Sequence, residues 1–292
     1  MFKTRLKQSI LGAAVALAFS GVAFGQATLT SGSLTVNLDA AGNIDFTTLP
    51  GLKFGGNEYV NDFDYASWYT LTTTSPAGSF IANDGTNPLG ATTSPTIPGF
   101  VATTFGFGGL TVLMTHSVTA TTYANSITFL NLSSTAVSGV KFSVGFDPDW
   151  DTGSTSGVVT RNKIVGTGNG AAATAFYDGI GGVVADVTLR NTTGAGADTI
   201  AAYIDTTSCC TPVLGATALA GGQALGTTII ADNSINLGYD LGTIGAGTSR
   251  TIAYEYAFTP HAVPEPETYA MMLAGLGLMG FVARRRKQNN AA

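Results

Sequence analysis

Asp147-Pro148-Asp149-Trp150-Asp151-Thr152-Gly153 sets three carboxylates at alternate positions of a turning loop. Asp147, Asp149 and Asp151 could converge on a hard cation, because Ca²⁺ takes six to eight oxygens and accepts irregular geometry. A helix-loop-helix calcium site would need Gly at the sixth position and Glu at the twelfth, where the chain has Thr152 and Val158. Calcium would therefore need further ligands from backbone carbonyls or a distant Asp. The competing reading is a solvated acidic turn, with Asp147 capping Asp149 and Trp150 packed on a sheet.

Other chemistry has thinner support. A glycosidase needs only two suitably spaced carboxylates, but a chain this rich in Asp offers such pairs by chance. Acid-base work through imidazole rests on His116 alone, since His261 stands beside the C-terminal tail. His116 lies on the apolar face of a strand pattern, which favours a buried, hydrogen-bonded structural role. Adjacent Cys209 and Cys210 can form a vicinal disulfide that closes no long loop; they could also stay free or pair between chains. Gly166-Thr167-Gly168-Asn169-Gly170 lacks the Lys-Ser/Thr of a phosphate loop and reads as a turn. Trp68, Tyr69 and Trp150 would be the stacking platform of a carbohydrate-binding module, were they exposed.

The elements that position these residues read as strands. Leu110, Val112, Met114, His116 and Val118 alternate with polar neighbours, and so do Ile252, Tyr254, Tyr256 and Phe258. Leu34, Val36 and Leu38 lead into Asp39-Ala40-Ala41-Gly42-Asn43, a hairpin connection before Ile44 and Phe46. Two further hairpins are expected: Ser126 to Ser133 with Val140 to Phe146, and Ser234 to Tyr239 with Arg250 to Phe258. Thr72 to Gly99 reads as a long surface excursion, and no segment outside the ends has a sustained helical period. The expected fold is mainly β, a large antiparallel β-sandwich flanked by an N-terminal signal peptide helix and a short C-terminal transmembrane helix. The strand units resemble the supersandwich β domains of bacterial surface proteins, the type that also underlies mutarotase-like domains.

Residues 1–27 combine Lys3, Arg5 and Lys7 with an apolar run from Ile10 to Phe19 and small residues up to Ala27, the pattern of a signal peptide. Cleavage by signal peptidase after Ala23, Gly25 or Ala27 fits equally. Residues 28–262 form the body, and residues 263–292 a tail: Pro264-Glu265-Pro266, an apolar run over 269–283, and Arg284-Arg285-Arg286-Lys287. The run is 15 residues long, about 22 Å as a helix against a hydrocarbon core of ~30 Å. Its cations would act as a stop-transfer cluster, holding it in the inner membrane transiently with the body outside.

Setting aside the seven terminal cations and the two tail glutamates leaves six basic against sixteen acidic residues, a formal charge of −10. Such a body repels phosphate backbones, which excludes a nucleic-acid partner. Only 11% of residues are charged, so Thr, Ser, Asn and Gly must build the surface.

The three parts of the tail, in this order, resemble the PEP-CTERM sorting signal of exported Gram-negative bacterial proteins. The resemblance implies recognition by exosortase, removal of the tail, a cell-surface or extracellular destination, and association with exopolysaccharide or biofilm. The sequence thus reads as an exported, non-enzymatic surface protein with extracellular polysaccharide as its partner and Ca²⁺ as its one candidate ion. A carbohydrate-binding adhesive module is the second reading, and a secreted glycoside hydrolase the third.

Overall fold

The computed structural model describes residues 26–45, 50–60, 67–83, 91–97, 99–149, 159–177, 183–194, 198–261 and 266–289. Residues 1–25 of the expected signal peptide lie outside them, whereas Gln26 and Ala27 are described; Trp150, Asp151, Pro264 and Glu265 also lie outside. The chain divides into Met1–Thr259 and Pro260–Ala292.

The first unit begins with β1 (Ala27–Ser31), β2 (Leu34–Leu38), β3 (Leu52–Phe54) and β4 (Asn57–Glu58), which form a small sheet in chain order. Then come β5 (Ser67–Thr74), β6 (Ala77–Asn83), β7 (Thr92–Ile97), β8 (Phe100–Phe107), β9 (Leu110–Val118), β10 (Thr122–Asn131) and β11 (Val137–Phe146). After these follow β12 (Thr160–Gly166), β13 (Ala172–Phe176), β14 (Ala185–Asn191), β15 (Thr199–Ile204) and the short helix α1 (Gly215–Ala220). The body closes with β16 (Thr228–Ala231), β17 (Ile235–Ile244) and β18 (Ser249–Pro260).

A nine-stranded sheet runs β16-β12-β13-β14-β18-β10-β9-β8-β7, and a five-stranded sheet runs β15-β17-β11-β5-β6. The pairings of β10 with β9 and β18, of β11 with β17 and β5, and of β8 with β9 are antiparallel, and the predicted β-sandwich is what forms. Alternation sets the layers: Leu110, Val112, Met114 and His116 of β9 are buried, as are Ile252, Tyr254, Tyr256 and Phe258 of β18. Phe142 of β11 packs across the interior against Phe129 and Tyr254, with ring centroids 5.8 and 6.3 Å away. Phe54 of the small sheet stacks on Phe258 at 4.7 Å. Both smaller sheets therefore cover the same face of the nine-stranded one. On its other face Thr111, Thr115, Ser126 and Thr128 of β9 and β10 are half-buried, and Thr128 bonds Thr251 side chain to side chain at 3.0 Å. A hydroxyl surface replaces a charged one, as the composition requires.

Two expected hairpins are not hairpins. β10 pairs with β9 and β18, whereas β11 pairs with β17 and β5. The connection at 132–136 thus carries the chain from one sheet to the other, and the link from β17 to β18 does the same. Alternating strands on either side of a turn look alike whether they pair with each other or face each other across a core. The excursion at 72–99 is likewise corrected: it contains β6 and β7, an edge strand of each large sheet. The Asp39–Asn43 connection fits its prediction, since Leu38 and Ile44 form an antiparallel bridge around it.

Asn131 clasps the two crossings together. Its Nδ2 donates to Thr135 O at 2.8 Å in one crossing and to Ile244 O at 2.9 Å in the other. Its Oδ1 accepts from Ser133 N and Ser133 Oγ at 3.0 and 2.7 Å. Its backbone exchanges bonds with Gly247 and Thr248.

In the second unit, α2 (Pro266–Asn289) bears out the predicted C-terminal helix. Among the described residues, however, no helix is long and apolar enough to cross a membrane. Its fifteen apolar residues lie between Glu267 on one side and Arg284 to Lys287 on the other.

Asn131 yields a stability prediction. Asn131→Ala strips the buried Ile244 carbonyl of its Nδ2 donor and leaves Thr135 O with Ser133 Oγ alone, and the expected loss is about 1–3 kcal/mol. Urea denaturation with an unchanged m-value is the check. A loss under 0.5 kcal/mol would show that the crossings hold without the clasp.

Candidate functional site

Register explains where the acidic residues meet. Phe146 at the end of β11 pairs with Ile235 at the start of β17, and Ile235 also pairs with Ile204 at the end of β15. Three antiparallel neighbours therefore release three connections at one rim of the sandwich. These carry Asp147 and Asp149 after β11, Asp205 to Cys210 after β15, and Asp232 before β17.

Asp147, Asp149 and Asp232 each offer a carboxylate oxygen, and these oxygens lie within 4.8 Å of one another. Asp147 and Asp149 are 2% and 6% exposed, so these two carboxylates are not the solvated ones weighed from sequence. Asp151 lies outside the described residues. The sequence reading missed Asp232; its sole signal was an Asp in the Asp232-Asn233-Ser234 link between two strands, a common feature of turns. The link that carries it is anchored by Asn162 Nδ2, which donates to Asn233 O at 2.8 Å, and by Asp205 N, which donates to Ser234 O at 3.0 Å. Tyr177 donates its hydroxyl to Pro148 O at 2.8 Å. Burial, with Asp149, Asp147 and Asp186 nearby, pushes Tyr177 well above its ordinary pKa, so it stays a donor. Chemically, this arrangement can offer oxygens to a hard divalent cation.

Cys209 and Cys210 form the vicinal disulfide that was one of the sequence options. Cys210 Sγ sits 3.4 Å from Asp147 Oδ2, and both sulfurs and that carboxylate fall within 4.8 Å of one another. Gly166 to Gly170 is a turn, as read, with a 3-10 segment at Gly168–Gly170.

Of the three aromatic residues that would form a platform if exposed, Trp150 lies outside the described residues and the other two are buried. Trp68 and Tyr69 are 0% and 1% exposed. Trp68 packs with Val213 and Ala218 of the segment that covers the outer face of the five-stranded sheet. That cover lies close because Gly238 has no side chain: a Cβ there would come within 2.7 Å of Ala218 Cβ. Tyr69 points into the main core and donates to Ala41 O at 2.7 Å.

A second polar centre is wholly internal. His116 Nδ1 lies 2.7 Å from Asn125 Oδ1 and 3.0 Å from Tyr123 Oη, and its Nε2 lies 3.3 Å from Thr103 Oγ1. With Asn125 Oδ1 facing it as acceptor, Nδ1 is assigned the proton, which leaves Nε2 to accept from Thr103. Burial lowers His116 to about 4, partly offset by the Asn125 bond. It is the structural histidine foreseen from its place on β9. The 39–45 connection plugs the space beside it, with Gly42 at φ +78° where a Cβ would meet Thr103 and His116. Asp39 Oδ1 accepts from Ala41 N and Asn43 N at 2.8 and 2.9 Å. Burial nevertheless raises Asp39 from 3.8 to about 7, with Asp45 adding to the rise and the backbone bonds opposing it.

These two shifts have opposite consequences. The raised Asp39 favours the folded state below pH 4, and that contribution is lost as pH climbs towards 7. The lowered His116 favours it above pH 6.5, and that contribution is lost as pH falls towards 4. Between pH 4 and 6.5 the slopes oppose each other. Asp39→Asn removes one of them, so the variant should match wild type near pH 4 and exceed it by roughly 3–4 kcal/mol above pH 7. Urea melts at pH 4, 5.5 and 7.5 measure this, and a gap that does not change with pH would disprove it.

Comparison with known proteins bears on the tail and on the fold. Residues 262–287 match the PEP-CTERM protein-sorting motif, which covers Pro264, Glu265, Pro266 and the arginine cluster. By sequence, no curated protein matches the chain. Among solved structures it is similar to a putative aldose 1-epimerase from Escherichia coli K12, at 11% identity and a TM-score of 0.50, over 81% of this chain and 100% of that one. It is also similar to a bacterial glucoamylase complexed with acarbose, at 12% identity and a TM-score of 0.49, where 88% of this chain spans 34% of the enzyme. A polysaccharide lyase follows at 11% identity and a TM-score of 0.38, with 84% of this chain on 34% of that one. At such identities the likeness is one of fold, and the chain carries a PEP-CTERM sorting motif behind a supersandwich-like β body.

Proposed function

We propose that this chain is a non-enzymatic surface protein, delivered through its tail and retained in an extracellular polysaccharide matrix. The observation that carries the reading is the sorting motif at residues 262–287, which implies an exported protein handled by exosortase. The signal peptide pattern of residues 1–27 agrees with this route. A body with a formal charge of −10 and a face of Thr and Ser hydroxyls suits a hydrated matrix.

Two observations support a role without catalysis. Asp147 and Asp149, the best-placed carboxylates, are buried, which weighs against their reaching a glycosidic bond. His116 is sealed inside the sandwich with its ring nitrogens engaged. The buried Trp68 and Tyr69 weigh against aromatic stacking as the mode of sugar binding.

Expression in the native host tests the reading. Wild type should reach the surface or matrix fraction with a mass lowered by the tail, whereas Pro264→Ala/Pro266→Ala should keep its tail and remain with the membrane. The matured wild type should co-sediment with the host's purified exopolysaccharide and release no reducing sugar from it. Intact wild-type chain in the cytosol would end the proposal for export, and liberated sugar would end the non-enzymatic part.

A further inference from the structure

The disulfide and the carboxylate beside it form a donor set that the oxidised state hides. We propose that reduction of Cys209–Cys210 opens a site for one thiophilic divalent cation, held by both sulfurs and Asp147. Tetrahedral zinc binds thiolate sulfur at about 2.3 Å and carboxylate oxygen at about 2.0–2.2 Å, which puts neighbouring ligand atoms roughly 3.5 Å apart. Cys210 Sγ and Asp147 Oδ2 already stand 3.4 Å apart, and Cys209 Sγ lies within 4.8 Å of that carboxylate. Two thiolates select a soft ion over the oxygen-seeking Ca²⁺ and Mg²⁺. A fourth position is left to water or to a second carboxylate of the rim.

The loop should keep its shape when the bond is broken, because other contacts hold it. Thr207 donates through N and Oγ1 to Asp205 Oδ1 at 2.9 and 2.7 Å. Ser208 Oγ donates to Thr211 Oγ1 at 2.9 Å and accepts from Cys210 N at 3.1 Å. A bridge between adjacent residues also closes no chain loop whose entropy would be released. The cysteines are half-buried while Asp147 is buried, so reagents arrive from the sulfur side and meet a carboxylate already in place.

The chemistry balances. A dithiol gives two electrons and two protons to the S–S bond, yielding two thiols and one oxidised dithiol. Binding of the cation then releases the two thiol protons. While the S–S bond stands, neither sulfur is a thiolate, and the set is closed to metal.

The test uses the full chain in mild detergent, reduced with a phosphine and desalted without oxygen, with Cd²⁺ as the probe. The reduced chain should bind one Cd²⁺, show sulfur-to-metal charge-transfer absorption, and be alkylated at both cysteines at least about tenfold more slowly once loaded. The oxidised chain should do none of these. Asp147→Asn should keep the absorption and weaken binding by about tenfold or more, while Asp198→Asn, at an exposed ion pair with Arg250, should bind as wild type. A reduced chain without absorption or protection, whether folded or unfolded by reduction, overturns the proposal, as does wild-type affinity in Asp147→Asn. Should Asp147→Asn fail to fold, Cd²⁺ stoichiometry and alkylation protection in the wild type decide the matter.

Discussion

Phe142 sits where the two large sheets meet. Its ring touches Tyr69 and Tyr239 on its own sheet, and Phe129 and Tyr254 on the opposite one. A chain with so few charged residues cannot align its layers by ion pairs; Lys141–Asp240 and Arg250–Asp198 lie at the surface, where such pairs contribute little. Apolar burial supplies the driving force but no direction. Aromatic rings, which prefer offset or edge contacts, add the geometry. Phe142 belongs to the third of five strands, paired on both flanks. The end of β11 is therefore fixed, and with it the place of Asp147.

That dependence explains what could be read from the chain and what could not. Strand existence was legible because one face of each strand is buried: His116 falls in phase with Leu110, Val112 and Met114, and Tyr254 with Ile252 and Phe258. Pairing was not legible. Phe129 and Phe142 flank a short polar turn just as hairpin strands would, yet they meet ring to ring across the core. Helix α1 escaped notice because its six residues span under two turns, too few for a 3.6-residue period to show.

The acidic rim follows the same rule. Asp147 and Asp149 were visible as neighbours in sequence, but Asp232 joins them only through the β11-β17 register, which sets Phe146 opposite the distant Ile235. Trp68 and Tyr69 misled for a related reason. Successive strand residues point to opposite faces, so a surface strand would expose one of them. Here β5 is covered on both sides, by the main core under Tyr69 and by the Val213–Ala218 segment over Trp68.

The polar groups inside this sandwich share one logic. The 39–45 connection must satisfy its own backbone, because water cannot reach it. Asp39 does so by accepting from two amides, and the cost is a carboxyl held in a low-dielectric setting. At the rim, Asp147 faces a harder balance, with two carboxylates on one side and a disulfide on the other. Ionised together, two carboxylates at that spacing repel by roughly 3 kcal/mol at an effective dielectric near 20. A disulfide carries no charge and leaves this field as it is, whereas two thiolates would deepen it. Reduction itself yields neutral thiols and adds no charge, and the thiolates form only as a cation displaces their protons and offsets the added charge. Metal and reductant act on Asp147 as partners, and the same strand end that orders the core makes that carboxylate common to both donor sets.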